Sequence, residues 1–306
     1  MPDVTTGAPA LGGRRSHVTA YLFLLPGLLL FAGLIMWPVV QSLRMSFLDW
    51  KFAPGAVSPF VGLGNYQRAI EDPDFWKSLV NSLVYMLATV PIQMAIGLLV
   101  AVLIHKAIVG RVTFRALYYL PVVTSWVVVS LVFEYLFSTD TGLVNHTLHN
   151  VLGVGDEPVN WLGSRWTALV VLCLLGIWKG VGWSMLIFLA GLQNVPNDLL
   201  DAAAVDGAGP IRRFFAVTLP YLRPVILFVT VMLVIGGFNV FISVYVITGG
   251  GPANETQVVL TYMYQQAFEF LEFGYGSAIA YLLAIIIFGL SFAQMKLFRY
   301  DEGVDQ

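Results

Sequence analysis

Lys179 is the residue whose type and position most directly indicate chemistry, because it stands near the middle of a long apolar run. An ammonium group inside a bilayer costs free energy unless it reaches water, a cavity or a partner. We therefore expect Lys179 to line a cavity, with helix carbonyls or the membrane surface as the alternative partners of its ammonium group. Glu134 also lies in an apolar run, but within a turn of the run's end, where its carboxylate reaches water.

Small, polar and aromatic residues accompany Lys179 at helical spacing. Its own face carries Gly176, Gly180 and Trp183, and the next apolar run carries Gly236, Gly237, Asn239, Val240 and Ser243. Close helix packing through glycines is one explanation of both stripes. Packing does not require Lys179 or Asn239, however. Rings and glycines around a wet cavity suit a sugar, whose C–H faces stack on rings and whose hydroxyls need polar partners.

The sequence lacks the constellations that catalysis or ATP binding would need. A phosphate-binding loop requires Gly-Lys followed by Ser or Thr, and no Gly-Lys dipeptide occurs. His146 and His149 stand three residues apart, but no carboxylate or cysteine pattern completes a metal site. Cys173, the one cysteine, lies in an apolar run and is expected to be a small buried residue. We therefore expect no catalytic residue, no metal ligand and no ATP site in this chain.

The composition is that of a membrane protein. Of 306 residues, 58% are hydrophobic and 11% are charged, against about 25% charged residues in soluble domains. Spanning a bilayer takes about 20 apolar residues. The sequence therefore predicts an all-α membrane protein of about six spans, at 20–40, 79–104, 116–137, 167–192, 225–247 and 277–298. Short interfacial helices are expected at 64–70 and 74–81.

The distribution of Lys and Arg predicts the orientation. If the N-terminus is cytosolic, that side carries Arg14, Arg15, Lys106, Arg111, Arg115, Arg212, Arg213, Arg223, Lys296 and Arg299. The last outer loop, 248–276, then has no Lys or Arg at all. Because basic residues concentrate in cytosolic connections, we expect both termini to be cytosolic, with tails at 1–19 and 299–306.

A polar segment, 193–224, separates the fourth and fifth spans on the predicted cytosolic side. It should begin with a short helix capped by Asn197 or Asp198. Gly207 suits the end of this helix, because a residue without Cβ allows a left-handed turn or a close approach. A stable polar element of this kind in a membrane protein is most simply a docking surface for another protein.

This segment resembles the "EAA" loop that defines the permease subunits of bacterial ABC importers. The matching residues are Asp201-Ala202-Ala203, Asp206-Gly207-Ala208 and Thr218-Leu219-Pro220, with aspartate at 201 where the family usually has glutamate. Other motifs resemble the sugar and glycerol-phosphate permeases: Leu25-Pro26-Gly27, Trp37-Pro38, Phe60-Val61-Gly62-Leu63-Gly64-Asn65-Tyr66 and Thr248-Gly249-Gly250-Gly251-Pro252. By this resemblance nearly the whole chain is identified as a maltose-permease-like protein with the type I ABC importer permease fold.

The resemblance implies a multi-pass subunit of the cell (inner or plasma) membrane. Its partners would be a second homologous permease, two copies of a cytosolic ATP-binding subunit and an extracytoplasmic substrate-binding protein, with no nucleic acid. ATP and magnesium would belong to the ATPase subunits, so this chain itself should hold no cofactor. Coupling to the ATPase would run through 198–220, in particular Asp198, Asp201, Ala202, Ala203, Asp206, Gly207, Ala208, Arg212 and Pro220.

The maltose permease binds its sugar along segments that align with 178–183 and 233–240. Together with the polar stripe, this implies a substrate pathway of Lys179, Gly180, Trp183, Gly237, Asn239, Val240 and Ser243. We expect a disaccharide, an oligosaccharide or a glycerophospho-compound, since Lys179 would tolerate a phosphate. Lys179→Ala or Asn239→Ala should then shift the transport affinity without altering assembly. The alternative function is an ion-coupled secondary transporter, which would need intramembrane carboxylates or paired broken helices.

Overall fold

The computed structural model describes residues 14–52, 55–106, 110–154 and 157–302. Within these ranges the elements are helices, and the pairing of extended backbone is limited to one bridge between Leu48 and Phe60. Five helices are long and apolar enough to cross a membrane, and a pair of helices joined at a sharp bend brings the number to six when the pair is counted as one span. The spans are Tyr21–Ser46, Pro73–His105, Arg111–Val123 with Trp126–Leu136, Arg165–Gln193, Arg223–Ile247 and Phe273–Leu297. The predicted class, an all-α membrane protein of about six spans, is confirmed.

Part of each predicted terminal tail is helical. The helix Arg14–Phe31 already includes residues 14–19, and the helix Phe273–Glu302 includes residues 299–302. The rest of the two tails, 1–13 and 303–306, lies outside the described residues. The apolar pattern marks the part of each helix suited to lipid, whereas the helical backbone continues beyond that part.

The second span begins at Pro73 rather than at the predicted residue 79. Asp72 caps it, because its carboxylate accepts a hydrogen bond from the backbone N–H of Asp74 at 2.9 Å. Pro73 follows in the first turn, where its missing N–H is not needed. The separate interfacial helix predicted at 74–81 is therefore wrong, since these residues are the first turns of the span. The interfacial helix predicted at 64–70 is present as Gly64–Glu71.

The third span is not the single helix predicted at 116–137. The helices Arg111–Val123 and Trp126–Leu136 meet at 91°, and the two residues between them, Thr124 and Ser125, have extended backbone. The bend leaves no gap in the apolar pattern, because two small residues are too few to interrupt it. We refer to this position as the break of the third span.

The second and fourth spans pack closely because glycines line their contact. A Cβ added at Gly176 would lie 2.1 Å from the hydroxyl of Tyr85, and one added at Gly180 would lie 2.3 Å from Oε1 of Gln93. The amide of Gln93 also donates to the carbonyl of Gly180 and to the hydroxyl of Ser184, both at 3.0 Å. Glycine packing therefore brings polar groups of the second span against the fourth.

A cluster of polar residues connects several helices at the end of the bundle that carries Asp72. We call this end, which lies opposite the 193–224 segment, the distal end. The carboxylate of Asp72 accepts hydrogen bonds from the hydroxyls of Tyr262 and Tyr275. Burial alone would raise the pKa of Asp72, but these bonds and those from the backbone of Asp74 and Phe75 outweigh it and hold the pKa below its ordinary value. The charged carboxylate thus links the second span to the sixth and to the helix before it.

Candidate functional site

Two adjoining cavities lie among the second, third, fourth and fifth spans, and together they form the central cavity. Their volumes are about 230 and about 470 Å³, and Tyr85, Trp126 and Gly236 line both. Ligand sites in proteins commonly have volumes of a few hundred Å³. The central cavity is therefore large enough for a small polar molecule.

All seven residues of the predicted substrate pathway line the central cavity. Lys179, Gly180, Trp183 and Gly237 line its first part, and Asn239, Val240 and Ser243 line its second part. Gly236 leaves the wall open, since no atom lies within 4 Å of a Cβ added there. At Gly237 an added Cβ would lie 3.1 Å from Met86, so this glycine allows the fifth span to approach the second. The stripe on the fifth span thus serves both the cavity and the packing.

The second span contributes cavity residues that the sequence reasoning missed. Tyr85, Thr89 and Gln93 line the cavity beside the fourth span. A signal was present, because together with Asn81 they place a polar residue at every fourth position of an apolar helix and so on one face. Trp126 gave no such signal, since it reaches the cavity through the break of the third span.

The ammonium group of Lys179 is held by backbone carbonyls, although its side chain lies on the cavity wall. It donates to the carbonyl oxygens of Thr124 at 2.7 Å, Pro121 at 2.8 Å and Val122 at 3.3 Å. The residue is 3% exposed, and its Nζ lies 4.8 Å from the ring centroid of Trp126. The three carbonyls lie at the end of a helix, where no N–H group of a following helical turn is available to donate a hydrogen bond to them.

The break of the third span explains the buried charge. A helix C-terminus carries partial negative charge, which a cation stabilises, and a carbonyl without a partner inside a membrane is costly. Of the partners considered for Lys179, helix carbonyls are the ones found. The expectation that Lys179→Ala leaves assembly unchanged is revised accordingly, because this substitution would remove the donor from the break.

Other polar groups of the cavity are better placed to meet a ligand. The hydroxyl of Ser243 has no hydrogen-bond partner among the described residues, although the residue is 1% exposed. Asn239 is exposed and donates one amide N–H to the carbonyl of Ile235 at 2.9 Å. Within the described part of the chain, no three His, Cys, Asp or Glu residues lie close enough together to hold a metal ion. Rings with scattered hydroxyl and amide groups suit an uncharged polyhydroxylated molecule.

The predicted coupling residues lie on and after the helix Asn197–Val205, which we call the coupling helix. Its N-cap is Pro196, and no side chain caps it, so the predicted cap by Asn197 or Asp198 is wrong. A proline at this point fixes the backbone that leads into the helix, and the first N–H groups keep no side-chain partner.

Gly207 closes the coupling helix in the left-handed conformation that the sequence suggested, with φ of +79°. The N–H of Ala208 donates to the carbonyl of Ala203 at 2.9 Å, and the N–H of Gly207 donates to that of Ala204 at 3.0 Å. This pair of bonds is a Schellman motif, which places glycine at the left-handed position. No atom lies within 4 Å of a Cβ added at Gly207, so this position also faces open space.

Most of the predicted coupling residues are exposed. The exposed ones are Asp198, Asp201, Ala202, Asp206, Gly207, Arg212 and Pro220, whereas Ala203 and Ala208 are partly buried. Two aliphatic side chains stand among them, Val205 at 88% and Ile211 at 76% exposure. Large apolar side chains grouped on a polar surface indicate a site of protein contact.

Comparison with known proteins gives the family. Residues 72–296 match the family described as "Binding-protein-dependent transport system inner membrane component". The arabinooligosaccharides transport system permease protein AraP of Halalkalibacterium halodurans is 39% identical over 296 residues, which cover 96% of this chain and 92% of that protein. The lactose transport system permease protein LacF of Rhizobium radiobacter is 34% identical over 290 residues, covering 94% and 96%.

The fold of the chain is similar to that of a solved importer. The crystal structure of a bacterial ABC transporter involved in the import of the acidic polysaccharide alginate matches with a TM-score of 0.80 and 21% identity, over 94% of this chain and 96% of that one. The match extends over the spans that build the central cavity. The chain therefore belongs to the family of binding-protein-dependent transport system inner membrane components, the multi-pass permease subunits of ABC transporters.

Proposed function

We propose that the chain forms half of the transport path of an ATP-driven importer for a disaccharide or an oligosaccharide. The observation that carries this proposal is the lining of the central cavity, which combines the rings of Tyr85, Trp126 and Trp183 with the amide of Asn239 and the hydroxyl of Ser243, which has no hydrogen-bond partner among the described residues. Relatives named for arabinooligosaccharides and for lactose support the same class of substrate.

The geometry favours a neutral sugar over a glycerophospho-compound. Lys179 is the one cationic residue that lines the central cavity within the described part of the chain. Its ammonium group is already bound by three carbonyls of the third span. A phosphate would have to draw this cation away from the helix end, at the cost of unsatisfied carbonyls in the membrane.

The proposed transporter also contains a second homologous permease, two copies of an ATP-binding subunit and an extracytoplasmic binding protein. We place the coupling helix in the cytosol, because basic residues flank it, and the distal end on the outer side. ATP and magnesium would bind to the ATPase subunits alone. The exposed surface around Val205 and Gly207 would contact the ATPase, and the flanking fourth and fifth spans lead from it to the central cavity.

Reconstitution tests the proposed function. The permease, its partner permease, the ATPase and the binding protein, expressed together, are expected to purify as one complex. In proteoliposomes this complex should import at least one of the neutral sugars lactose, arabinobiose and arabinotriose, and the sugar-loaded binding protein should stimulate ATP hydrolysis. A complex that hydrolyses ATP but imports none of these sugars would contradict the proposed substrate class.

Asn239→Ala and Ser243→Ala are expected to raise the KM of uptake by roughly tenfold each, equivalent to about 1.4 kcal/mol. Each removes a polar group that would bond a sugar hydroxyl, and neither removes a contact between spans. The control is Ser130→Ala, because Ser130, like Ser243, is fully buried and has no hydrogen-bond partner in the part of the chain that the structure describes, but it does not line the central cavity. Equal KM values for all three variants and the wild type would remove Asn239 and Ser243 from the pathway.

A further inference from the structure

A continuous series of aromatic rings runs from the central cavity to the distal end. Successive centroids lie 5.3 Å apart from Phe241 to Tyr264, 5.1 Å from Tyr264 to Phe268, 5.7 Å from Phe268 to Phe273 and 5.7 Å from Phe273 to Phe52. Tyr245 adds a sixth ring, stacked on Phe241 at 5.3 Å. We call these six residues the aromatic track.

Both ends of the track open into cavities with polar groups. Phe241 lines the second part of the central cavity, beside Asn239 and Ser243. Phe52 lines a separate pocket of about 370 Å³ at the distal end, which we call the distal pocket. The distal pocket also holds charged residues: Asp49, Lys51, Arg68 and Glu272. The track therefore connects two sites where a polar molecule can be hydrated or hydrogen-bonded.

The rings are accessible along the series. Phe52, Phe268 and Tyr245 are 69%, 56% and 45% exposed, and the other three are partly buried. The elements beneath them are held in place, because Asn81 donates to the carbonyls of Glu255 and Gln257 at 2.9 and 2.7 Å. The hydrogen bonds to Asp72 fix the helix that carries Tyr264. The track is thus a set of exposed and partly buried rings on elements that hydrogen bonds hold in place.

From this arrangement we propose that the aromatic track is a sugar-binding path, along which an oligosaccharide slides from the distal pocket to the central cavity. The inference rests on the proposed function and extends it to the route and the length of the substrate. Aromatic faces bind the C–H faces of sugars, and their contacts are individually weak and tolerant of position. Consecutive rings at nearly even spacing let one contact form as the previous one breaks.

The chemistry of the track favours a sugar over a second apolar protein surface. The acidic residue Glu269, next to Phe268, is exposed, and Gln265 lies beside Tyr264. At its outer end the track reaches the ion pair of Arg68 and Glu272, with 2.5 Å between Nη1 and Oε2. Charged side chains are depleted from the buried core of protein interfaces, whereas they suit the hydroxyls of a carbohydrate.

The length of the track indicates more than one sugar ring. A monosaccharide would contact a single aromatic ring, while the series offers several rings between its two ends. A longer chain can occupy several of them at once and so gains more from the track. We expect the contribution of Phe268 to uptake to be larger for arabinotriose than for lactose.

Three substitutions at Phe268 separate stacking from packing. In the reconstituted transporter, Phe268→Ala is expected to lower the rate of sugar uptake at limiting loaded binding protein by roughly tenfold, which is about 1.4 kcal/mol. Phe268→Tyr keeps a ring and should retain the wild-type rate. Phe268→Leu keeps an apolar side chain without a ring, and it should be nearly as slow as Phe268→Ala. ATP hydrolysis and subunit composition are measured for each variant and should match those of the wild type.

Phe292→Ala is the matched control, because Phe292 is exposed to nearly the same degree, 57%, but lies outside the track. It should leave uptake unchanged.

A wild-type rate for Phe268→Leu would show that the position needs only an apolar group, and it would overturn the sugar path while leaving the proposed function intact. Loss of complex assembly in Phe268→Ala and Phe268→Leu would assign the track to the contact between permeases instead. A wild-type transporter that imports no sugar of the panel would contradict both proposals.

Discussion

Replacing Gly207 by glutamate is expected to abolish sugar uptake, with a fall of at least about a hundredfold, while the permease still accumulates in the membrane. The glutamate would place a long charged side chain on the exposed surface that we assign to the ATPase, and it would also force an L residue into a left-handed conformation. A hundredfold loss of coupling corresponds to about 3 kcal/mol. Uptake by proteoliposomes and the amount of ATPase that purifies with the permease measure the effect.

Two further variants separate backbone strain from contact. Gly207→Asn keeps a residue that tolerates the left-handed conformation, and it should retain most of the uptake. A bulky residue at Ala203, such as Ala203→Trp, changes the surface without touching the left-handed turn and should abolish uptake as Gly207→Glu does. Normal uptake in Gly207→Glu, with the ATPase still bound, would refute the coupling role of this helix.

The second large effect is expected for Lys179→Met, which should destabilise the permease. The methionine has nearly the length of lysine but donates no hydrogen bond, so the carbonyls of Val122 and Thr124 lose their partner and that of Pro121 keeps only the hydroxyl of Thr124, at 2.6 Å. An unsatisfied buried carbonyl costs about 1–3 kcal/mol. We expect the Tm of the detergent-solubilised protein to fall on the order of 5–10 °C, with a lower yield of folded protein.

Lys179→Arg keeps a cation with several donors and should recover part of the loss. Lys296→Met removes a lysine that is exposed near the end of the sixth span, and it should leave the Tm unchanged. If Lys179→Met melted like the wild type and changed only the KM of uptake, Lys179 would be a substrate contact and not the partner of the break.

The residues of the central cavity were largely predictable from the sequence, because a polar side chain in an apolar helix needs either a hydrogen-bond partner or a cavity. Asn239 and Ser243 were found in this way, and the left-handed turn was predictable because few residues other than Gly207 adopt it without strain. Tyr85 was missed although its polar stripe was regular. Charged residues and glycines mark the cavity faces of the fourth and fifth spans, and the polar stripe of the second span contains neither.

The partner of Lys179 was not predictable for a different reason. The break of the third span follows from how its two helices pack, and Thr124 and Ser125 are compatible with either a straight or a bent backbone. The aromatic track was also hidden, since Phe52 and Phe273 are distant in the chain and only the tertiary fold stacks their rings. Local patterns predict faces of helices, but they do not predict which faces meet.

The break of the third span has a consequence for how the protein is made. Thr124 leaves the ribosome 55 residues before Lys179, so the third span is synthesised when its ammonium partner does not yet exist. Carbonyls exposed to lipid without a partner are costly, and a bent span cannot settle alone. The third and fourth spans are therefore expected to enter the lipid bilayer together. Lys179 would then be needed for membrane insertion before it has any role in the folded protein.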